Sequence, residues 1–312
     1  MTKVLISDRT HEVLEERLRE AGFEVLVEPD HDYEGLVQAA QGCDGLVVRS
    51  KVIVDKGFID RVPSLRCIGR VGAGMETIDV DYAESKGIRC LNSPEGNRDA
   101  VGEHTVGLLL ALLNNIARAD AEVRRGMWQR EANRGYELGP LTVGIIGYGN
   151  MGQSFAKRLS GFGCRVIYYD KYLDNLVNLD NIVRVSLETL QREADVVSFH
   201  VPLTAETHHY LNASFVANMH KPFFLLNTSR GAVVDTEALV QGLESGKVRG
   251  AALDVLEYEN MQADSLGDVP ESLQYLMKSP RTVLTPHVAG WTVESKYKLA
   301  AVLADKIIKV IG

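Results

Sequence analysis

Three charged residues have the types and spacing for alcohol chemistry: Arg230 in "NTSRGAVVD", Glu259 in "AALDVLEYE" and His287 in "TPHVAG". Each follows an apolar run that reads as a strand, "FFLLNTS", "GAALDV" and "TVLTPH". Ligands of open α/β sheets bind outside the carboxyl ends of the strands, so the fold would gather the three at one edge. Arg230 can grip a carboxylate and a carbonyl oxygen bidentately. His287 can exchange a hydroxyl proton, and Glu259 can orient the imidazole and hold its charged form. Such a set lacks only a hydride acceptor. "GYGNMG", Gly147 to Gly152, offers it a seat, because the strand "LTVGIIG" precedes it and the helix "QSFAKRLSGFG" follows. Gly147 allows the tight turn, Gly149 lets backbone approach a pyrophosphate, and Gly152 lets helix and strand pack closely. The helix N-terminus adds free N–H groups and a favourable dipole. Asp170, ending the next strand "RVIYYD", can accept hydrogen bonds from both adenosine ribose hydroxyls and would repel a 2′-phosphate. NAD is therefore expected over NADP, with Lys171 beside it as the counter-signal.

The elements that position these residues form two series. From "KVLIS" to "GIRCLN" short apolar runs alternate with amphipathic stretches, which predicts a parallel sheet with crossover helices. No Gly-rich loop follows its first strand, so this part reads as a flavodoxin-like domain that does not bind a dinucleotide in the usual way. "NRDAVGEHTVGLLLALLNNIARADAEVRRGMW" reads as one long helical run, apolar on most sides between Val101 and Ile116 and therefore buried. It either joins two domains or packs on a second subunit. A second series then supplies six strands, "TVGIIG", "RVIYYD", "DVVSFHV", "FFLLNTS", "GAALDV" and "TVLTPH", which suit a doubly wound Rossmann sheet. "NMQADSLGDVPESLQYLMKSP" reads as a long loop with a short helix. The final amphipathic helix, "ESKYKLAAVLADKIIKVIG", is expected to return to the first domain.

Bulk properties narrow the function. A chain of 312 residues with 45% hydrophobic residues suits two compact domains. Its net charge of −8 argues against a broad nucleic-acid or anionic-membrane surface, while leaving room for a local arginine pocket. Cys43, Cys67, Cys90 and Cys164 are scattered and form no CxxC pair, so neither a metal nor a redox disulfide is expected. No signal peptide or membrane-spanning run is visible, and the expected location is the cytoplasm.

On "GYGNMG…D", "NTSRGAVVD", "AALDVLEYE" and "TPHVAG" the chain resembles the D-isomer-specific 2-hydroxyacid dehydrogenase family over nearly its full length. The resemblance implies that Arg230 anchors substrate, Glu259 orients the histidine and His287 is the acid/base. It implies an α/β fold of two doubly wound parallel-sheet domains, with the Rossmann NAD domain (94–290) inserted into a flavodoxin-like substrate domain (1–93 plus 291–312). Beside Gly147, Gly149, Asn150, Met151, Gly152 and Asp170, it assigns His200, Val201, Pro202, Thr207, Thr228, Ser229, Asp254 and Gly290 to the cofactor. Two departures stand out. Asn260 replaces the family's usual Pro after the catalytic Glu, which leaves Glu257 as a rival to Glu259. Trp291 replaces a residue that is small in many relatives.

The resemblance also bears on substrate. "RVGAGMETID" is similar to the loop whose backbone N–H groups bind the substrate carboxylate, which points to Val71, Gly72 and Ala73. "LVVRSKVIVD", "CIGRVGAG" and "MWQR" resemble segments that supply phosphate-binding arginines in the family's phosphoglycerate dehydrogenases, which points to Arg49, Arg70 and Arg130, the last reaching in from a partner subunit of a homodimer. The implied reaction is oxidation of 3-phospho-D-glycerate to 3-phosphohydroxypyruvate, at the start of serine synthesis. A glyoxylate/hydroxypyruvate or D-lactate type reductase is the alternative. An NAD-sensing corepressor would show a weakened triad or disordered tails. With Gly312 closing the last helix, feedback through a C-terminal regulatory domain is not expected.

Overall fold

The computed structural model describes residues 1–173, 181–260, 265–267 and 269–312. The chain divides into two compact units, Met1–Arg98 with Trp291–Gly312, and Asp99–Gly290.

The first unit holds five parallel strands, β1 (Lys3–Ile6), β2 (Glu24–Val27), β3 (Gly45–Val48), β4 (Cys67–Arg70) and β5 (Arg89–Asn92), in the order β2-β1-β3-β4-β5. That is the flavodoxin-like order. Side chains alternate across β1: Val4 and Ile6 pack with α1 (Val13–Glu20) and with Leu303 and Ile307 of α12 (Val293–Ile311), while Leu5 faces Leu36 of α2 (Tyr33–Ala39) and Phe58 of α3 (Lys56–Arg61). Burial on both faces explains why the strands read as continuous apolar runs. Asp32, Asp55 and Asp79 cap α2, α3 and α4 (Val80–Ser85) by accepting from backbone N–H groups of the first turn. The final helix belongs to this unit, as expected.

Residues 94–98, placed with the NAD domain in the sequence reading, stay with the first unit. The cause is close packing on α12. A Cβ on Gly96 would lie 2.5 Å from Leu299 N, and Lys306 Nζ donates to Asn92 O (2.8 Å) and the Glu95 carboxylate (2.9 Å).

The second unit begins with α5 (Arg98–Leu113) and α6 (Ile116–Arg124). The expected single helical run is thus broken, with a bend of 61°. Asn115 adopts φ 54°, a left-handed conformation that asparagine tolerates better than most residues. Leu108, Leu109, Leu112 and Leu113 are buried, whereas Ile116 beyond the bend is exposed. Among the described residues no single helix is long and apolar enough to cross a membrane.

Seven parallel strands follow around this unit's core: β6 (Thr142–Ile146), β7 (Arg165–Tyr169), β8 (Ile182–Arg184), β9 (Val196–Phe199), β10 (Phe223–Asn227), β11 (Val248–Leu253) and, after a small antiparallel pair β12 (Glu259–Asn260) and β13 (Ser265–Leu266), β14 (Thr282–Leu284). Their order is β14-β11-β10-β9-β6-β7-β8. Six were expected. β8 was missed because it is a three-residue edge strand with only Ile182 buried, too short for a pattern. The chain steps from β6 outward through β7 and β8, then returns to β9 on the other side of β6. That reversal is the switch point where a doubly wound sheet opens a crevice. Helices α7 (Asn150–Leu159), α8 (Leu187–Glu193), α9 (Ala213–Asn218), α10 (Thr236–Glu244) and α11 (Glu271–Lys278) cover the sheet. α11 is the short helix expected after Asn260. Residues 261–264 and 268 of that stretch lie outside the described residues.

Candidate active site

The glycine loop follows β6 at the switch point. Gly147 has φ 88°, and a Cβ there would collide with the His200 carbonyl at the end of β9. A Cβ on Gly152 would collide with the Gly147 carbonyl, so helix and turn can approach only without one. Around Gly149 the space is open: a Cβ would meet nothing within 4 Å. Gly149 is the N-cap of α7 and brings no side-chain cap, so the first N–H groups, at Asn150, Met151 and Gly152, keep no acceptor from it. An open backbone shelf beside an uncapped helix start fits a pyrophosphate.

Asp170 stands beside that shelf. Its Oδ2 accepts from Tyr148 N (2.7 Å), and its Oδ1 from Tyr172 N (2.9 Å) and Leu173 N (3.0 Å). These bonds fix the carboxyl group at the end of β7, with lone pairs left over for further donors such as ribose hydroxyls. Lys171, the counter-signal for NADP, is paired with Glu206.

Next along the edge come β9 and β10. His200 is buried, and its Nε2 lies 2.8 Å from Ser198 Oγ, while Nδ1 has no partner among the described residues. Burial pushes its pKa down to about 3, so the ring is neutral near pH 7. The ring is buried, and the atom that the residue brings to Gly147 is its backbone carbonyl. Val201 is half-buried beside Gly147, and Pro202 is exposed. Thr207 Oγ1 donates to Pro202 O (2.6 Å) and closes that turn. After β10, Thr228 Oγ1 meets Thr105 Oγ1 of α5 (3.0 Å), and Ser229 Oγ donates to Asn227 Oδ1 (2.7 Å). Asn227 Nδ2 in turn donates to Arg230 O (2.9 Å), and Arg230 Nη1 to Ser229 O (2.6 Å). The loop bearing Arg230 is thus held by its own polar groups.

β11 and β14 bring up the last pair. His287 Nδ1 lies 3.1 Å from Glu259 Oε1. Glu257, the rival, points elsewhere: its Oε1 lies 2.6 Å from His209 Nε2, and its Oε2 accepts from Thr236 N (3.0 Å) and Thr236 Oγ1 (2.6 Å). His287 has φ 54°, a costly conformation for a non-glycine residue that the surroundings must impose. Asp254 imposes it. Its carbonyl accepts from His287 N (2.7 Å), and its carboxylate accepts from Thr285 Oγ1 (2.6 Å), Val288 N (2.9 Å) and Ala289 N (2.8 Å). Asp254 is 1% exposed, and its side chain organises the loop that runs to Gly290. Burial alone would raise its pKa, but the bonds from His104, Thr285, Ala289 and Val288 outweigh burial and hold it below the usual carboxylate range. His104 is the residue sequence reasoning missed. From α5 its Nε2 reaches Thr285 Oγ1 (3.1 Å) and Asp254 Oδ1 (3.4 Å). The available signal was a histidine inside an otherwise apolar helix.

In the first unit, Arg49 follows β3. Its N–H donates to the buried Asp8 carboxylate (2.7 Å), and its carbonyl accepts from Arg70 Nε (3.3 Å). Burial raises the Asp8 pKa, against the lowering pull of that N–H and of the Arg49 charge. After β4, Val71 N donates to Val48 O (3.0 Å), so Val71 is not a free donor as expected. The ladder simply continues one residue past β4. The carbonyls of Gly72 and Ala73 accept from Ser93 N (2.9 Å) and Asn92 Nδ2 (2.6 Å), while their own N–H groups make no hydrogen bond among the described residues. Arg130 sits in the second unit on an exposed arm and has neither hydrogen bond nor ion pair among the described residues.

Residues 106–289 match the family model described as "D-isomer specific 2-hydroxyacid dehydrogenase, NAD binding domain". The chain is 36% identical to D-3-phosphoglycerate dehydrogenase of Methanocaldococcus jannaschii, over 100% of this chain and 58% of that protein. It therefore spans little more than half the length of that relative. It is 37% identical to hydroxypyruvate reductase of Thermotoga maritima, over 93% of this chain and 92% of that protein. A crystal structure of D-lactate dehydrogenase from Aquifex aeolicus, complexed with NAD and lactic acid, superposes with a TM-score of 0.81 at 27% identity, covering 99% of this chain and 94% of that one. The open glycine shelf beside Asp170, the His287–Glu259 pair and these matches agree, and the chain belongs to the D-isomer-specific 2-hydroxyacid dehydrogenases.

Proposed function

We propose that the protein interconverts D-2-hydroxy acids and 2-oxo acids with NAD, and that its preferred pair is 3-phospho-D-glycerate and 3-phosphohydroxypyruvate. NAD, bound along Gly147–Gly152 and Asp170, supplies the hydride acceptor. Arg230 grips the substrate's carboxylate and the oxygen on C2. His287 takes the hydroxyl proton through Nε2 as the hydride leaves C2, and returns it in the reverse direction. Glu259 fixes the ring through Nδ1 and balances the charge it gains. The N–H groups of Gly72 and Ala73 suit the substrate carboxylate.

The observation that carries the phosphate assignment is Arg49. Its guanidinium makes no hydrogen bond or ion pair among the described residues, although the residue is half-buried. Arginine in that state is ready for an oxyanion. Arg130 on its exposed arm would complete the site from the partner subunit of a homodimer. The relative named hydroxypyruvate reductase, matched over most of its length, favours a second reading in which the phosphate is dispensable. A panel of phosphohydroxypyruvate, hydroxypyruvate, glyoxylate and pyruvate with NADH separates the two. We expect kcat/KM to be highest for phosphohydroxypyruvate, and Arg49→Met to lower it about tenfold or more for that substrate alone. Equal turnover of hydroxypyruvate, untouched by Arg49→Met and Arg130→Met, would establish the second reading.

A further inference from the structure

We infer that Trp291 is a specificity-determining residue: it holds Arg49 as a preset anion receptor and so strengthens selection for substrates that carry a second negative charge far from C2. The inference rests on the reading that Arg49 meets that distal group.

The main chain of Arg49 is fixed on both sides, its N–H by Asp8 and its carbonyl by Arg70 Nε (3.3 Å) and Thr77 Oγ1 (3.5 Å). Its guanidinium carbon lies 5.5 Å from the centre of the Trp291 ring. That contact is cation–π attraction, for which tryptophan is the best aromatic partner. The attraction acts on the charge of the guanidinium and uses none of its N–H donors as a hydrogen bond. Among the described residues no carboxylate forms an ion pair or hydrogen bond with them, although Asp8 feels the Arg49 charge. Asp8 faces the Arg49 N–H, and Asp30, the other nearby acid, is taken by Lys51 (2.5 Å) and Arg9 (3.0 Å).

Trp291 is itself an unusual expenditure of apolar surface. It is 71% exposed, so core packing does not account for it. The next residue anchors its backbone. Thr292 caps α12, with Thr292 Oγ1 accepting from Ser295 N (3.0 Å) and Ser295 Oγ accepting from Thr292 N (2.9 Å). A rigid stem therefore carries the indole over a cation whose donors are open. A small residue at 291 would leave Arg49 free to swing. Its rotamer entropy would then oppose anion binding.

The test compares phosphohydroxypyruvate with hydroxypyruvate, using NADH and the full chain. Trp291→Ala should raise KM for phosphohydroxypyruvate about fivefold, change KM for hydroxypyruvate less than about twofold, and leave kcat for both nearly unchanged. Trp291→Phe should recover most of the loss. Parallel changes for the two substrates, or none for either, would overturn the inference. A second measurement reads the contact itself. In Trp128→Phe, Trp291 is the only indole, and its emission should respond to 3-phosphoglycerate and lose that response when Arg49→Met is added. If the wild-type enzyme handles both substrates alike, the phosphate reading falls. The Trp291 inference then stands if 2-oxoglutarate, a dianion without phosphorus, gives the Arg49-dependent response, and falls if it does not.

Discussion

Two histidine–glutamate pairs leave the same turn after β11. Glu257 meets His209 at 2.6 Å and Glu259 meets His287 at 3.1 Å. Both histidines are left-handed, with φ 51° and 54°. The side chains are similarly shielded, His209 and Glu257 at 35% and 16% exposure against 27% and 20% for His287 and Glu259. Residue type, backbone strain and burial therefore do not separate the pair proposed as catalytic from the other. The remaining atoms do. The second oxygen of Glu257 is taken by the N–H and hydroxyl of Thr236, which ties the turn to the start of α10. Among the described residues, the second oxygen of Glu259 has only a long approach from Leu256 N, at 3.5 Å. His209 is bonded through its outer nitrogen, Nε2, and its ring is stacked on His208 at 4.0 Å. His287 is bonded through Nδ1, so its outer nitrogen is left for a proton in transit.

Swapping the histidines should break the comparison most strongly. His287→Asn is expected to lower kcat about a thousandfold, the middle of the range for a lost acid/base, while His209→Asn changes kcat only a few-fold. Steady-state NADH oxidation measures both. The carboxylates should separate next. Glu259→Gln should lower kcat about a hundredfold with little effect on unfolding, whereas Glu257→Gln should cost about 1–2 kcal/mol in urea denaturation through the lost tie to Thr236 and keep most of the turnover.

A third histidine sharpens the contrast with a smaller, pH-dependent effect. His200 has no carboxylate, and burial holds it near a pKa of about 3. Between that value and about 6.5 the unfolded chain binds a proton that the folded chain refuses, so stability falls as pH drops through this window. Urea unfolding should show a loss of about 2 kcal/mol from this group between about pH 7 and pH 5, absent in His200→Gln. An unchanged dependence in that variant would show that His200 does not carry it.

Much of this architecture was legible because it follows from short-range rules. Strands buried on both faces read as apolar runs, and glycines at Gly147 and Gly152 sit where a Cβ would collide. The placement of Arg230, Glu259 and His287, each trailing a strand, was legible in the same way. What was not legible depended on side-chain direction. Glu257 and Glu259 lie two positions apart, and only the fold shows which faces His287. At Asp254, four hydrogen bonds that no local pattern announces draw its carbonyl and carboxylate into the loop that carries His287. His104 and the break at Asn115 were hidden inside a run whose composition favours one helix. The edge strand Ile182–Arg184 was too short to announce itself.

The most direct test tracks the hydride and the proton together. NADH deuterated at its transferable position is mixed with phosphohydroxypyruvate, and the product is read by NMR and by chiral analysis. The account predicts deuterium at C2 of the D-2-hydroxy acid for the wild-type protein and for His209→Asn at similar rates, and almost none for a folded His287→Asn in the same time. Label transfer by His287→Asn at the wild-type rate, or its loss in His209→Asn alone, would contradict the account.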